Sequence, residues 1–394
     1  MTILSVADTT PLPDVTVTRK GADRYRSGHP WIFRSDVSDT GQAQSGDTVR
    51  VVDNRGRAIG AAHYSSSSQI ALRMLGSQPE RLDMEARIAA AERYRADVVS
   101  DTTAYRLVHA EGDFLPALII DRYGDAFAVQ ALNQAMDRAM PEIVEALERQ
   151  FAPRAIVARL DAAVRTLEEL PREVRVMKGE AEGPVSVRMN GLTLEADLVH
   201  GQKTGVFLDQ RENYPAAARY ARGEALDCFT STGGFALHMA RNCERVEAVD
   251  SSAPALTTAR RNAAANGIGN LEFRQADAFD LLSGYASARR RFDTVILDPP
   301  AFAKSRKQLD AAARGYKDIN LRALRLLGTG GILVTCSCSQ LVSEAMLLEV
   351  LAEASLDAGK PLRVLERRTQ SRDHPILLTV PETHYLKCVI VQVT

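Results

Sequence analysis

The second half of the chain alternates short apolar runs with segments that have helical spacing. One such segment begins at Pro254 and ends before Gly267, as expected for a helix with proline in its first turn and glycine after its last. Strands that alternate with helices form a mostly parallel sheet, so the pattern predicts an α/β domain. The predicted strands are residues 225–229, 246–250, 271–275, 292–297 and 331–335.

The first half of the chain has a different pattern. Residues 46–64 have strand character on both sides of a turn and predict a small β-rich unit that extends to about Met74. A charged, alanine-rich helix over 79–96 leads into a mixed α+β segment that runs to about Val187. Its predicted elements are strands near 105–113, 117–124, 127–131 and 155–159 and a helix over 136–150, and a hairpin over 185–196 follows, turning at Asn190 and Gly191.

Composition narrows the class of protein. A chain of 394 residues with 45% hydrophobic residues is long enough for two or three domains. The five cysteines lack metal-type spacing and suit a reducing cytoplasm, so we expect a cytoplasmic protein without a metal site. Long apolar runs and a secretory signal are missing, which predicts no contact with a membrane, and residues 1–14 are expected to be a flexible tail.

A glycine-containing turn is the first candidate for a binding site. The strand that ends near Asp227 runs into Gly233 and Gly234, after which residues 235–240 have the composition of a helix start. Free backbone N–H groups at such a turn can hold a ligand, although a Gly-Gly pair is often only a turn. Asp250 ends the next strand, 23 residues after Asp227, and is our candidate for a ribose ligand.

Acidic residues recur at the ends of the predicted strands. Asp250, Asp277 and Asp298 each follow a strand, and the carboxyl ends of parallel strands meet at one edge of the sheet. Any one of these residues could instead cap a helix. Together they predict a crevice that holds a ligand.

Charge indicates which cofactor this crevice would take. A dinucleotide site requires the full glycine triplet, whereas S-adenosylmethionine carries a sulfonium and an ammonium that an acid such as Asp227 could favour. A dinucleotide would also leave the Asp298-Pro299-Pro300 segment and the serines and cysteines at 336–339 without a role. We therefore predict S-adenosylmethionine as the cofactor.

Cationic residues cluster in two places although the formal net charge is only −1. Cations interleaved with aromatic rings suit a phosphate backbone and unpaired bases. Solvated helix surfaces, and a core position for the single tryptophan, are the alternatives. The candidate RNA-binding residues are Arg19, Lys20, Arg24, Arg26 and Trp31 in the first cluster and Lys304, Arg306, Lys307 and Lys317 in the second.

The sequence resembles a known family over nearly its whole length. Residues 29–33 and the strand after Gly46 look like the PUA domain that opens one family of bacterial large-subunit (23S) ribosomal RNA cytosine-5 methyltransferases. The other family motifs are found at residues 202–211, 228–235, 298–302, 314–320 and 337–339.

This resemblance implies a domain organisation. It implies a PUA domain over residues 15–78, a central α+β domain over 79–187 and a Rossmann-like methyltransferase domain over 188–394. The last domain would have a mostly parallel seven-stranded sheet that strands at 362–367 and 385–393 close as an antiparallel hairpin. The implied substrate is 23S ribosomal RNA or a large-subunit precursor, and a homodimer is possible.

The resemblance also implies the cofactor-binding residues. Family members present the segment from Phe207 to Arg211 to the methionine end of S-adenosylmethionine. Without the family, Arg211 is an ordinary surface charge. The full set of cofactor candidates is Phe207, Asp209, Gln210, Arg211, Asp227, Phe229, Thr230, Gly233, Gly234, Asp250, Ser251, Asp277, Ala278, Asp298 and Pro299.

Cytosine C5 chemistry requires a cysteine. The carbon is a poor nucleophile until a thiolate adds to C6, and a second group must hold the N3 and N4 edge of the base. Strand alternation puts Cys336 and Cys338 on the same face and does not separate them. The family motif selects Cys338 as the nucleophile, and Asp298 is assigned to the base edge.

Other readings remain open at this point. Two core cysteines are the usual alternative for a strand end. His109, Glu111 and Asp113 are better explained as surface strand and turn residues than as a metal site. The chain could also methylate another RNA base or nitrogen, or it could be an inactive RNA-binding assembly factor.

Overall fold

The computed structural model describes residues 11–201, 206–303 and 305–394. The chain divides into two compact units. The first contains the residues up to Asp97 together with Leu107–Ala181 and Ile376–Pro381. The second contains Val98–Arg106, Glu182–Pro375 and Glu382–Thr394.

The first unit begins with a six-stranded sheet in the order β2-β6-β5-β4-β1-β3. Its core is formed by alternate strand residues such as Val15, Val49, Val51 and Leu72, as expected for strands with one buried face. The elements are β1 (Asp14–Val17), α1 (Arg19–Arg26), β2 (Trp31–Phe33), β3 (Val37–Asp39), β4 (Thr48–Val52), β5 (Ala58–Tyr64) and β6 (Ile70–Gly76).

One expectation for this region is wrong, and one helix was not predicted. Asp14 is not part of a flexible tail: it opens β1, pairs with Arg50 in the parallel ladder, and accepts a bidentate hydrogen bond of 2.6 Å from the Arg50 guanidinium. The four cations of the first cluster lie on α1, a helix that the sequence pattern did not predict. Thr18 caps this helix by accepting from the Gly21 N–H. Residues 1–10 of the expected tail lie outside the described residues.

A five-stranded sheet follows in the order β11-β10-β9-β8-β7. The helix expected over 136–150 is two helices. The first ends before Ala139, and the second begins at Met140 with Pro141 in its first turn. The elements are α2 (Met84–Val98), β7 (Ala104–His109), β8 (Leu118–Tyr123), β9 (Ala126–Ala131), α3 (Gln134–Arg138), α4 (Met140–Phe151), β10 (Ala155–Leu160) and β11 (Glu173–Gly179).

The second unit is built on a seven-stranded sheet. Before it come the hairpin of β12 (Val185–Met189) and β13 (Leu192–Ala196), with Asn190 and Gly191 both at positive φ in the turn, and the helix α5 (Asn213–Ala218). The sheet and its helices comprise β14 (Glu224–Cys228), α6 (Gly234–Met239), β15 (Arg245–Asp250), α7 (Ala253–Ala265), β16 (Leu271–Gln275), α8 (Ala278–Ser287), β17 (Phe292–Leu297), α9 (Leu309–Leu326), β18 (Leu327–Ser337), α10 (Glu344–Ala358), β19 (Leu362–Thr369) and β20 (Lys387–Val393).

The order of this sheet is β16-β15-β14-β17-β18-β20-β19. Strands β14 to β18 are parallel to one another, and β20 runs antiparallel to both of its neighbours. This confirms the predicted mostly parallel sheet with an antiparallel last strand. The strand order reverses between β14 and β17, and a ligand crevice is expected outside the carboxyl ends of the strands at such a point.

Packing explains why the central strands β14 and β17 are almost continuously buried. β17 buries every residue except Asp293, because helices cover both faces of a parallel sheet. Leu226, Val249, Val295 and Leu333 belong to one core cluster that also includes residues of α8, α9 and α10. This core holds the ends of β14, β15, β17 and β18 in fixed positions. In the described part of the chain, no helix has the length and apolarity needed to cross a membrane.

Candidate active site

A cavity of about 710 Å³ opens at the carboxyl ends of the parallel strands of the second unit. Its volume is in the range of sites for small molecules and cofactors. Twelve residues proposed from the sequence line it: Phe207, Asp209, Gln210, Phe229, Thr230, Gly234, Asp250, Ser251, Asp277, Asp298, Pro299 and Cys338. The residues that were not proposed as site residues are Tyr214, Ser231, Thr232, Phe235, Phe279, Pro300, Ala301, Phe302 and Leu386.

The turn between β14 and α6 forms one wall. Phe229, Ser231 and Gly233 all have positive φ, with values of 66°, 50° and 92°, so the backbone winds tightly before α6 begins. Gly234 then lies against Tyr214, and a Cβ atom there would come within 2.5 Å of the Tyr214 hydroxyl oxygen. The second glycine is therefore required by close packing, whereas the first supplies the left-handed conformation.

Asp227 lies behind this turn and does not line the cavity. It is fully buried, and its Oδ2 accepts hydrogen bonds from the Thr230 hydroxyl at 2.7 Å and from the Ala236 N–H at 3.0 Å. Burial raises the pKa of this carboxyl to about 7. The sequence-based idea that Asp227 meets the ammonium or sulfonium directly gains no contact here, because its carboxylate stabilises the turn itself.

Asp250 joins the glycine turn to the following strand end. Its two oxygens accept from the backbone N–H groups of Ser231, at 2.9 Å, and Ser252, at 2.8 Å. A carboxylate has about four lone-pair sites, so these two bonds leave acceptor capacity that faces the cavity. Ser251, its neighbour, also lines the cavity.

Asp277 combines both of the roles considered for strand-end acids. Its Oδ1 accepts from the Phe279 and Asp280 N–H groups and so caps α8, and the residue also lines the cavity. Ala278 is buried and, like Gly233, is not part of the lining. Those two candidates shape the backbone around the cavity.

Arg211 is directed to a different partner from the one expected. It is 2% exposed, and its Nη2 lies 3.3 Å from the Asp373 carboxylate and 3.3 Å from that of Glu212. Burial opposes ionisation of Asp373, but His374, Arg211 and the Arg106 N–H hold the pKa of Asp373 well below its usual range. Arg211 therefore forms a buried ion pair and is not one of the residues that line the cavity. Residues 202–205 of the same motif lie outside the described residues.

Gln210 holds the Asp298 side chain. Its Nε2 donates to Asp298 Oδ1 at 3.0 Å, and its Oε1 accepts from Asn213 Nδ2 at 2.7 Å. Asn213 in turn accepts from Arg368 Nε at 2.9 Å. This chain of amides fixes the direction in which Asp298 presents its carboxyl group. Gln210, a cofactor candidate, lines the cavity and also orients this acid.

The two strand-end cysteines have different environments. Cys336 is fully buried, lies opposite Cys388 in the β18–β20 ladder, and burial raises the pKa of its thiol. Cys338 is partly exposed and lines the cavity, and its Sγ donates to the Pro299 carbonyl oxygen at 3.8 Å. Strand alternation suggested equivalent positions, but β18 ends at Ser337, so Cys338 lies in the loop beyond the ladder.

A hydroxyl network joins the cysteine loop to the Asp298 loop. Ser337 donates to the Tyr316 hydroxyl at 2.9 Å, which lies 3.0 Å from Ser339 Oγ. Ser339 Oγ also accepts from the N–H groups of Phe302 and Ala303 at 3.0 and 3.3 Å. The loops after β17 and β18 are thus held together around Cys338 and Asp298.

The candidate RNA-binding residues of the first unit are partly neutralised or packed. Arg19 and Arg26 lie within 3.4 Å and 3.0 Å of Asp23, and Lys20 lies 3.4 Å from Asp36. The half-buried Arg24 guanidinium stacks 4.6 Å from the Phe33 ring centroid. α1 still presents a cationic surface, because the side chains of Arg19 and Lys20 are 89% and 73% exposed.

Trp31 is half-buried, and its side chain is held by contacts within the protein. Its Nε1 donates to Glu111 at 2.8 Å, and the Arg73 guanidinium, paired with the same carboxylate, lies 5.3 Å from the Trp31 ring centroid. Glu111 is therefore occupied by these contacts, while Asp113 pairs with Arg95 and accepts from the His109 N–H. These contacts give Glu111 and Asp113 structural roles.

In the second unit, Arg306 and Lys307 are exposed in a short 3₁₀ turn before α9. Lys317 lies in α9, ten residues after Lys307, but pairs with Glu353 at 3.1 Å and Asp357 at 3.0 Å. Lys304 lies outside the described residues.

Sequence reasoning missed several aromatic residues of the cavity. Tyr214 stacks on His238 at 5.1 Å and meets Phe235 edge-on at 4.8 Å, and Phe302 contacts Tyr316 at 4.5 Å. Phe302 is in a recognised motif and could have been proposed. Tyr214 lies three residues after the motif at 202–211 and could have been found by extending that motif. Leu386 is far from every recognised motif in the chain, and only the fold brings it to the cavity.

The sheet order, the glycine turn and the cavity together define a Rossmann-like methyltransferase domain. Residues 221–376 match the family model described as a methyltransferase domain, and residues 15–77 match the one described as a PUA-like domain. A methyltransferase from Streptococcus mutans described as SAM-dependent has a similar fold, with a TM-score of 0.82 at 18% identity over 97% of this chain and 100% of that one.

Sequence relatives identify the family. The ribosomal RNA large subunit methyltransferase I of Shewanella denitrificans is 40% identical over 378 residues, which cover 93% of this chain and 95% of that protein. The protein of the same name from Vibrio cholerae is 40% identical over 382 residues, covering 93% and 96%. The chain belongs to the ribosomal RNA large subunit methyltransferase I family, which confirms the resemblance drawn from its motifs.

Proposed function

We propose that this protein transfers a methyl group from S-adenosylmethionine to C5 of a cytosine in large-subunit ribosomal RNA, through a covalent bond between Cys338 and C6. Membership of the family supports the methyltransferase activity and ribosomal RNA as the substrate. The choice of cytosine C5 rests on the chemistry of the side chains around the cavity. The observation that carries it is that the partly exposed Cys338 and the carboxyl group of Asp298 line the same cavity.

The lining suits the cofactor. S-adenosylmethionine has an adenine ring, ribose hydroxyls and a sulfonium that supplies the methyl group. A structural neighbour with a TM-score of 0.83 and 18% identity is a methyltransferase complexed with SAH. Here, Phe229 and Phe279 offer apolar surface to a ring, and Asp250 and Asp277 offer acceptors to hydroxyl or amino groups. We propose these residues, with Phe207, Asp209 and Ser251, as the cofactor contacts.

The nucleophile and the base-edge acid then act on opposite sides of one ring. The Cys338 thiolate forms the Sγ–C6 bond while Asp298, in its acid form, gives a proton to N3, so the ring becomes a neutral enamine with nucleophilic C5. C5 accepts the methyl group. Loss of the C5 proton to solvent and return of the N3 proton to Asp298 break the Sγ–C6 bond and release the thiolate.

Supporting contacts keep both groups in place. Gln210 directs Asp298 through a 3.0 Å hydrogen bond, and Ser339 ties the backbone of the Asp298 loop to the loop that carries Cys338. A fixed arrangement reduces the entropy that would otherwise be lost in aligning the base with both groups. Because the target base is reached inside folded RNA, we expect it to be unstacked into the cavity.

The deciding experiment compares Cys338→Ser with Cys336→Ser. Each variant restores the gene in a deletion strain, and 5-methylcytosine in 23S ribosomal RNA is mapped by bisulfite sequencing. Loss of one modified cytosine in the strain with Cys338→Ser but not in that with Cys336→Ser supports the proposal. A serine hydroxyl is a much weaker nucleophile than a thiolate, so we expect a loss of at least about a thousandfold in rate.

A second readout tests the covalent bond directly. Fluorine at C5 cannot leave as a proton does, so RNA with 5-fluorocytidine should form a complex with the wild-type protein that survives denaturing electrophoresis, and Cys338→Ser should not form it. Full methylation by Cys338→Ser would contradict the proposal and favour another base or nitrogen as target. Failure of the wild-type protein to bind S-adenosylmethionine in calorimetry would instead indicate an inactive RNA-binding factor.

A further inference from the structure

Lys387 is a buried cation next to the proposed nucleophile. It is the first residue of β20 and is 2% exposed. Its Nζ donates to the Ser339 carbonyl oxygen at 2.7 Å and to the Tyr385 carbonyl oxygen at 2.8 Å. Ser339 follows Cys338 in the chain, so one of these bonds attaches the ammonium directly to the cysteine loop.

The sheet holds Lys387 in this position. In the antiparallel β18–β20 ladder, Lys387 is opposite Ser337 and Cys388 is opposite Cys336. Lys387 therefore belongs to the last residue pair of the ladder, opposite the residue that precedes Cys338. An ammonium group has three N–H donors, and the two carbonyl bonds use two of them.

The charge of Lys387 is unusual for a buried residue. Buried ammonium groups are normally paired with a carboxylate or lose their proton. The two hydrogen bonds described for the Lys387 ammonium go to backbone carbonyl oxygens and not to a carboxylate. Burial lowers the pKa of this lysine to about 8, and the neighbouring group that opposes this fall is the thiol of Cys338.

Other titratable groups near Cys338 offer no positive charge. Tyr316 is neutral, because burial raises its pKa, and its hydroxyl is engaged by Ser337. Asp298 lines the same cavity, and an aspartic acid side chain carries no positive charge in either protonation state. The titratable residues on the elements packed around the cysteine loop are Asp209, Asp298, Tyr316, Cys336, Tyr385, Lys387 and Cys388.

We propose that Lys387 is a positioning residue that stabilises the thiolate of Cys338, an inference that rests on the proposed covalent role of that cysteine. When the Cys338 proton leaves to solvent, the thiolate and the ammonium form an ion pair beneath the cavity. As the Sγ–C6 bond forms and Asp298 gives its proton to N3, the negative charge passes from sulfur to the Asp298 carboxylate, and it returns to sulfur when that bond breaks. Lys387 keeps its proton throughout.

The test measures the acidity of the Cys338 thiol without using the methylation reaction. Iodoacetamide alkylates thiolates, and mass spectrometry of the Cys338 peptide gives the rate at each pH from 6 to 10. The other four cysteines are buried and provide internal references. In the wild-type protein, we expect the rate to rise with a midpoint below about 8.5, the value of an ordinary thiol.

Lys387→Gln removes the charge but keeps a hydrogen-bond donor for the carbonyl oxygens. We expect the alkylation midpoint of Cys338 to rise by about one pH unit or more, which lowers the thiolate fraction at pH 7 about tenfold. Lys387→Arg keeps the charge and should restore most of the shift. The methylation rate of Lys387→Gln should fall at pH 7 and recover at higher pH, with an unchanged KM for S-adenosylmethionine.

Lys360 provides a matched control. Lys360 is partly buried, and its Nζ likewise donates to two backbone carbonyl oxygens, those of Leu324 and Leu327. Burial lowers the pKa of Lys360 as well. Lys360→Gln should therefore cost similar packing and hydrogen bonding while leaving the Cys338 midpoint unchanged.

The outcomes separate this inference from the proposed function. A wild-type midpoint at or above about 8.5, or an unchanged midpoint in folded Lys387→Gln, overturns the role of Lys387 even if Cys338→Ser abolishes methylation. An equal shift in Lys360→Gln also overturns it. If Cys338→Ser methylates RNA normally, the proposed function fails whatever the thiol acidity. If the Lys387 variants do not fold, a wild-type midpoint at or above about 8.5 still overturns the inference.

Discussion

At the scale of single residues, several polar side chains proposed as ligands hold other groups of the site. Asp227 bonds the turn, Gln210 bonds Asp298, and Arg211 pairs with Asp373. A buried polar atom must find a partner inside the protein, so its direction is decided by the nearest unsatisfied group. Residues that lie one layer behind a cavity can therefore share a motif with residues that line it.

The raised pKa of Asp227 leads to a prediction about stability and pH. Its folded-state pKa of about 7 lies above the value of about 3.9 for an unfolded chain, so the folded state binds more protons and loses stability as pH rises between these values. In Asp227→Asn, an amide oxygen can accept the same two bonds without charge. We expect the variant to melt at a higher temperature than the wild type at pH 8, with the difference vanishing near pH 4.

Thermal unfolding followed by circular dichroism at pH 4, 5, 6, 7 and 8 checks this. The expected difference in unfolding free energy at pH 8 is on the order of 1–3 kcal/mol. A difference between variant and wild type that does not vary with pH would show that Asp227 is not the titrating group.

At the scale of elements, the turn between β14 and α6 depends on the fit between two helices. Gly234 lets α6 begin directly against Tyr214 of α5, and Tyr214 donates to the Phe207 carbonyl oxygen at 3.2 Å. The turn, α5 and the segment around Phe207 are therefore packed together. A substitution of Gly234 should therefore displace both the glycine turn and the segment around Phe207, which line the cavity.

Gly234→Ala tests this packing. Its Cβ would overlap the Tyr214 ring, and overpacking of this kind typically costs about 1–3 kcal/mol. We expect a lower melting temperature and affinity for S-adenosylmethionine reduced at least about tenfold, measured by calorimetry. Gly284→Ala is the control, because Gly284 is an exposed position of α8 where a Cβ meets nothing within 4 Å. That variant should be neutral or slightly stabilised.

Unchanged cofactor affinity in Gly234→Ala would contradict the prediction, because it would mean that the Tyr214 side chain moves aside without displacing the turn. Loss of affinity in Gly284→Ala would mean that the measurement reports general damage to the domain instead of the fit at Tyr214.

At the scale of the whole molecule, the net charge conceals how the cations are distributed. Acids and bases nearly balance over the chain, and many of the arginines and lysines pair with nearby carboxylates. Phosphate contacts depend on cations that remain exposed. In the described part of the second unit, Arg306 and Lys307 meet that condition, whereas Lys317 is held by Glu353 and Asp357.

We therefore expect the double variant Arg306→Gln and Lys307→Gln to bind ribosomal RNA more weakly and with less dependence on salt. Each lost phosphate contact reduces the slope of log K against log salt by about 0.7–0.9. Filter binding between 50 and 300 mM salt measures both quantities. Lys317→Gln should leave the slope unchanged, and an equal effect of the two sets of variants would contradict this assignment.

The sequence by itself determined the elements around the site. The strands at 271–275 and 292–297, the hairpin at 185–196 and the helix after Pro254 were predicted with nearly the observed bounds. Strand alternation, helical spacing and turn residues act over a few neighbouring positions, so they can be interpreted locally. The family motifs added the methyltransferase class, which the comparisons confirm.

Only the tertiary structure decided what each side chain does. It distinguished Cys338 from Cys336, turned Arg211 toward Asp373, 162 positions away, and brought Lys387 to the cysteine loop. Burial and pairing depend on strands and loops that are distant in the chain, and a one-residue difference at the end of β18 changes a core position into a cavity position. The local pattern specifies where a strand ends, and the packing of the sheet decides which atoms meet there.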